Sequence, residues 1–157
     1  MSTTVDATAI APRYLRPRPG DLAFNRLVGW LVRRGISLAG ARRLTVRGRT
    51  SGEPRTTVVN LLELDGERYL VAPRGHTQWV RNLRAAGEGT LAVGRRHESF
   101  VAEEVADADK GPVLAAYLDR WAWEVGRFFE DLDKDSDADA LAAAAPDFPV
   151  FRVVTTA

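Results

Sequence analysis

Apolar and polar residues alternate in Arg43-Leu44-Thr45-Val46-Arg47, the two-residue period of a half-buried strand. A second run, 55–64, is rich in Thr, Val and Leu. It leads through Asp65-Gly66, a strong two-residue hairpin signal, into Glu67-Arg68-Tyr69-Leu70-Val71-Ala72. Thr90-Leu91-Ala92-Val93 and the run 99–105 predict a second hairpin around Gly94-Arg95-Arg96, and Val150-Phe151-Arg152-Val153-Val154 predicts a last strand.

Elsewhere the period becomes helical. Asp21 is placed to cap a helix over 21–37, whose apolar face is Leu22, Phe24, Leu27, Val28, Trp30 and Leu31. Thr77 is placed to cap a short helix over 78–86, with Gly87 as its stop. A long helix is predicted over 109–132. Val113, Leu114, Tyr117, Leu118, Trp121, Val125, Phe128 and Phe129 lie on one side of it. A short Ala-rich helix, 137–145, precedes the last strand. Residues 1–20 are polar and Pro-rich and predict an irregular arm, which leaves 21–157 as a single domain. Antiparallel strands with helices at both ends and one between the hairpins predict an α+β fold. A small closed barrel with peripheral helices fits, because closure removes edge strands; an open sheet fits the same pattern.

Charge adds a direction. Lys plus Arg is 22 and Asp plus Glu is 21, a balance that argues against general nucleic-acid affinity. The signs are segregated, however. Arginines dominate 13–96 and acids dominate 103–139. All the basic residues except Lys110 and Lys134 are arginine, whose guanidinium fork suits phosphate and carboxylate. The absence of cysteine excludes disulfides and thiolate chemistry. No apolar run approaches the roughly 18 residues of a membrane span. The N-terminal residues lack the order of a secretory signal. A cytoplasmic protein is the expectation. The 21–37 helix, with Trp, Leu and Arg, either packs on the domain or lies on the anionic inner face of a membrane.

The usual catalytic motifs are missing. His76 and His97 have no zinc-binding arrangement, so no metal site is expected. Ser51 lies in Thr-Ser-Gly-Glu rather than in a nucleophile elbow, and the Rossmann and Walker glycine patterns are absent. No catalytic side chain is assigned. What stands out is Leu44–Arg84, which holds Arg47, Arg49, Arg55, Arg74, Arg81 and Arg84. Within it Gly48-Arg49-Thr50-Ser51-Gly52-Glu53-Pro54-Arg55 combines guanidiniums, hydroxyls and turn glycines. On physical grounds this is either an anion cradle or a solvated hairpin turn.

The wider order of motifs carries a resemblance. L-T-x-x-G-R-x-S-G-x-P-R is followed by D-G-x-R-Y-L-V-A and then by W-x-x-N-L-R-A. Over 44–94 the chain resembles the deazaflavin-dependent nitroreductase family, flavin/deazaflavin oxidoreductases of the split β-barrel (FMN-binding-like) fold. The resemblance implies coenzyme F-420 as hydride donor, with a small quinone, enone or nitro compound as acceptor. It implies that Arg49, Ser51, Gly52 and Arg55, with Thr50 between them, hold the anionic phosphodiester and glutamate tail. Val58, Ala72, Pro73, Arg74 and Gly75 would line the deazaflavin ring, and Trp79, Asn82 and Leu83 would close that site. Thr50 stands where many relatives carry Lys, and His76 where a second Gly is frequent. Tyr117, Trp121, Trp123 and Phe128 form either an acceptor pocket or a core-filling face. FMN, which has one phosphate and needs fewer arginines, is the alternative cofactor. A non-catalytic protein that binds a cofactor or tetrapyrrole is the alternative outside enzymology. A monomer or homodimer is expected.

Overall fold

The computed structural model describes residues 40–125, 132 and 136–156. The expected arm 1–20, the helix 21–37, Phe128 and Phe129 lie outside the described residues, and of Trp123 only the backbone is described. The strands are β1 (Ala41–Arg47), β2 (Pro54–Leu64), β3 (Glu67–Val71), β4 (Glu88–Val93), β5 (Arg96–Glu104) and β6 (Val150–Thr155). The helices are α1 (Gln78–Ala86), α2 (Gly111–Val125) and α3 (Ala138–Ala144), with 3-10 turns at Asp107–Asp109 and Ala145–Asp147.

The strands close into an antiparallel barrel in the order β1-β2-β3-β6-β5-β4. Closure depends on Leu44 pairing with Leu91 and Thr45 with Thr90, between β1 and β4. None of the six described strands has an open edge, which settles the choice between barrel and open sheet that the pattern alone left undecided.

Strand alternation fills the interior. Leu44, Val46, Val59, Leu61, Leu70, Leu91, Phe100, Phe151 and Val153 point inward and form one buried cluster with Val80 and Leu83 of α1. These apolar positions, two residues apart along each strand, bury one face of the sheet. Helix α1 follows the end of β3 and seals that end of the barrel. Thr77 has extended N-cap geometry but makes no side-chain cap bond, and its buried hydroxyl has no hydrogen-bond partner among the described residues. Gly87 ends the helix in the left-handed region at φ 73°, its N–H donating to the Leu83 carbonyl.

A second core lies outside the barrel. Leu62, Val71 and Val150 pack there against Val113, Leu114, Tyr117, Leu118 and Trp121 of α2, with Leu141 of α3 and Phe148. The helix expected from 109 begins at Gly111, with Pro112 in its first turn where a missing N–H is harmless. Before it, the chain forms a 3-10 turn fixed by buried Lys110. The lysine Nζ donates to Asp107 Oδ1 at 2.6 Å and to the Ala145 carbonyl at 3.0 Å.

Near the Asp65-Gly66 turn the barrel is closed by charge. Arg68 donates through both Nη atoms to Glu98, including Nη1 to Oε2 at 2.9 Å, and the Thr155 hydroxyl donates to Glu98 Oε1 at 2.7 Å. The Arg68 hydrogen bond is the main reason the Glu98 carboxyl is held down at about 2; burial opposes it, and Thr155 and Arg42 add to it.

Candidate functional site

The turn between β1 and β2 is built from its own backbone and one hydroxyl. Gly48 N–H donates to the Glu53 carbonyl at 2.8 Å and Gly52 N–H to the Gly48 carbonyl at 2.9 Å. Ser51 Oγ accepts the Glu53 N–H at 3.2 Å. Gly48 permits this packing. A Cβ there would come within 2.9 Å of Ser51 Oγ and 3.2 Å of the Glu53 carbonyl oxygen. The cradle glycine-and-hydroxyl pattern is therefore partly internal, since Ser51 bonds its own turn. Arg49, Thr50, Ser51, Gly52 and Arg55 all face solvent.

Arg49 ties the turn to α1. Its main-chain N–H donates to Asn82 Oδ1 at 3.1 Å, and its guanidinium Nη1 donates to the same oxygen at 2.7 Å. Nη2 donates to Gln78 Oε1 at 2.9 Å. Gln78 and Asn82 are four residues apart, so they lie on one side of the helix. Both partners are neutral amides. They orient the guanidinium without cancelling its charge.

The arginines of the Leu44–Arg84 window thus divide into two sets. Arg84 is neutralised, donating from Nε and Nη2 to the Glu104 carboxylate at 2.8 and 2.6 Å. That hydrogen bond is the first cause of the lowered Glu104 pKa. Arg68 and Arg152 are likewise paired, with Glu98 and Glu103. By contrast the Arg47, Arg55 and Arg81 side chains make no hydrogen bond or ion pair among the described residues. Glu53, the acid within the turn, forms no ion pair there either. Uncompensated positive charge is therefore concentrated at the turn and the outer side of α1, where an anion is attracted.

The loop between β3 and α1 lies beside this charge. Ala72 N–H donates to the Pro149 carbonyl at 2.9 Å and Gly75 N–H to the Ala72 carbonyl at 3.1 Å. His76 Nε2 is 3.1 Å from the Pro146 carbonyl, which fastens the loop to the turn after α3. Pro73 and Arg74 are half-buried, Gly75 is buried, and Trp79 is half-buried with its ring 6.1 Å from that of Phe151. Val58 lies on the outer face of β2, opposite Arg43 and packed on Ala41.

Several residues expected at a ring or pocket wall are elsewhere. Ala72 and Leu83 are fully buried in the barrel interior. Asn82, 5% exposed, turns its amide oxygen to Arg49 rather than outward. Tyr117 and Trp121 are buried in the outer core, their rings 4.9 Å apart, and fill space between α2 and the sheet. Of the two readings given to that helix face, this burial matches core filling; Phe128 lies outside the described residues. Gln78 was not singled out in the sequence, and His76 was noted only where a second Gly is frequent, without its contact to Pro146. The four-residue spacing of Gln78 and Asn82 was the available signal for the first.

The fold is that of a split-barrel protein, with unpaired guanidiniums gathered at one rim among the described residues. A family model described as F420H(2)-dependent quinone reductase matches residues 24–123. The chain belongs to that family, in agreement with the resemblance read from the motifs. Among solved structures, the protein Atu2129 (unknown function) from Agrobacterium tumefaciens superposes with a TM-score of 0.55 at 19% identity. The match covers 94% of this chain and 60% of that one. A heme binding protein from Mycobacterium smegmatis superposes at 0.50 with 18% identity, covering 88% of this chain and 52% of that one. An F420-H2 dependent reductase, FDR-A, also superposes at 0.50 with 18% identity, covering 73% of this chain and 93% of that one. The chain therefore spans little more than half the length of the first two structures. At these identities the likenesses establish the fold. A comparison with curated proteins finds no match.

Proposed function

We propose that the protein is an oxidoreductase that uses the reduced deazaflavin coenzyme F-420 to reduce a small organic acceptor such as a quinone, an enone or a nitro compound. The observation that carries this reading is the set of guanidiniums at Arg47, Arg49, Arg55 and Arg81, none of which faces a carboxylate among the described residues. Family membership agrees with it.

The residues fit such a coenzyme. Its tail carries a phosphodiester and glutamates, and Arg49 and Arg55 meet those charges with fork geometry. Thr50 supplies a hydroxyl beside them, and Ser51 and Gly52 shape the turn that presents them. Pro73, Arg74 and Gly75 offer a short, anchored loop for a flat ring, with half-buried Trp79 and Val58 as apolar walls. When bound, the coenzyme supplies the hydride from its C5 carbon. The protein binds and orients it and shields it from water. No side-chain nucleophile or base is needed, consistent with the missing catalytic motifs. FMN carries a single phosphate and leaves most of these arginines without a ligand.

Turnover tests the reading. Anaerobic mixing of the protein with reduced F-420 and menadione is expected to oxidise the coenzyme at a rate proportional to protein concentration. Tight coenzyme binding with no acceleration over the protein-free reaction would make the protein a carrier instead.

A further inference from the structure

We infer that Gln78 and Asn82 are positioning residues, which hold the Arg49 guanidinium in one orientation so that its free N–H groups receive an anionic group of the coenzyme tail. The inference rests on the function proposed above; it adds Gln78 and gives Asn82 a role on the Arg49 side chain rather than at the ring.

Arg49 is exposed, and an exposed arginine ordinarily samples many rotamers, so ordering it costs side-chain entropy. Here that ordering is already done in the free protein. Nη1 is held by Asn82 Oδ1 at 2.7 Å and Nη2 by Gln78 Oε1 at 2.9 Å. A guanidinium has five N–H donors. Two are engaged, so Nε–H and one N–H on each Nη remain for a phosphate or carboxylate.

The chemistry of the partners matters as much as their position. A carboxylate at either place would orient Arg49 but would also neutralise it, as Glu104 does for Arg84. Carboxamide oxygens hold the group and leave its charge intact. Asn82 has a second effect. Its Oδ1 also accepts the Arg49 main-chain N–H at 3.1 Å, so the whole turn is registered on α1. The buried Asn82 sets the turn, and exposed Gln78 sets the outer half of the fork. Neither needs to touch the ring.

The test compares two ligands: F-420, and its tail-less deazaflavin with only the ribityl chain. Gln78→Ala sits at an exposed helical position and is expected to fold. It should weaken F-420 binding about tenfold, part of the ordering cost returned to Arg49. Affinity for the tail-less ring should not change. Arg49→Ala with Gln78→Ala should bind F-420 no worse than Arg49→Ala alone, because Gln78 acts only through Arg49. Gln78→Glu should weaken F-420 more than Gln78→Ala does. Wild-type affinity for F-420 in Gln78→Ala, equal losses for both ligands, or additive losses in the double variant would each overturn the inference while leaving the function standing. If the unaltered protein binds neither ligand, the function fails and the inference fails with it.

Discussion

One oxygen, Oδ1 of Asn82, accepts both the main-chain N–H and the guanidinium of Arg49, at 3.1 and 2.7 Å. Residues 33 positions apart in the chain are thereby joined. The contact fixes a solvent-exposed turn on a helix that seals the barrel. Asn82→Ala removes it and leaves the turn's N–H without its partner. We expect a loss of about 1–3 kcal/mol in stability. Urea unfolding measures it, and an unchanged midpoint would show that the contact contributes nothing.

Arg55 and Arg84 test the division of the arginines. Arg55→Ala should weaken F-420 binding by roughly 1–3 kcal/mol, with a smaller loss at high salt. Arg84→Ala should leave binding nearly unchanged, because its charge is matched by Glu104. Its pair is well exposed, so stability should fall by less than about 1 kcal/mol. Calorimetric titration of both variants at two salt concentrations separates these outcomes. The reverse order of effects would place the anion at the Arg84–Glu104 pair rather than at the 48–55 turn.

Acid stability reports on the other end of the barrel. The Glu98 carboxyl is lowered from 4.5 to about 2, first by the Arg68 hydrogen bond. Its folded pKa lies below the unfolded one, so its contribution is fully present above pH ~4.5 and disappears as pH falls towards ~2. Glu98→Gln should lower stability near neutral pH and flatten its fall across that window. Glu104, shifted the same way by Arg84, will still contribute to the acid slope. Denaturation midpoints measured from pH 6 to pH 2 give the comparison; parallel curves for the two proteins would remove Glu98 from the account.

The outer core makes a different prediction. Trp121 is fully buried against Tyr117. Trp121→Ala should cost about 3–5 kcal/mol through cavity formation. Trp121→Phe should cost less and leave the acceptor preference unaltered. Stability and kcat/KM for two quinones of different size settle the matter. A changed preference with unchanged stability would return this face to the substrate.

Local features were readable from the chain. Asp65-Gly66, the Thr77 and Gly87 boundaries of α1, the alternation in β1 and the Thr, Val and Leu content of β2 depend on residues within a few positions of one another. The turn at 48–55 was readable for the same reason, as an excess of arginine around glycine. Closure of the barrel was implied only by the family resemblance, because the β1–β4 pairing joins residues as far apart in the chain as Leu44 and Leu91. Nor could sequence separate Arg84 from Arg49. The partners that decide their roles, Glu104 and Asn82, lie 20 and 33 positions away. Helical spacing placed Tyr117 and Trp121 on one face, but an inward core face and a pocket wall share that spacing.

If the rim charge binds the anionic tail of a deazaflavin coenzyme, affinity must depend on that tail. Calorimetric titration of the unaltered protein with F-420, its tail-less ring and FMN at one low salt concentration tests it most directly. We expect micromolar or tighter affinity for F-420, much weaker binding of the tail-less ring, and FMN weaker than F-420. Equal affinity for F-420 and the tail-less ring, or binding of FMN alone, would contradict it.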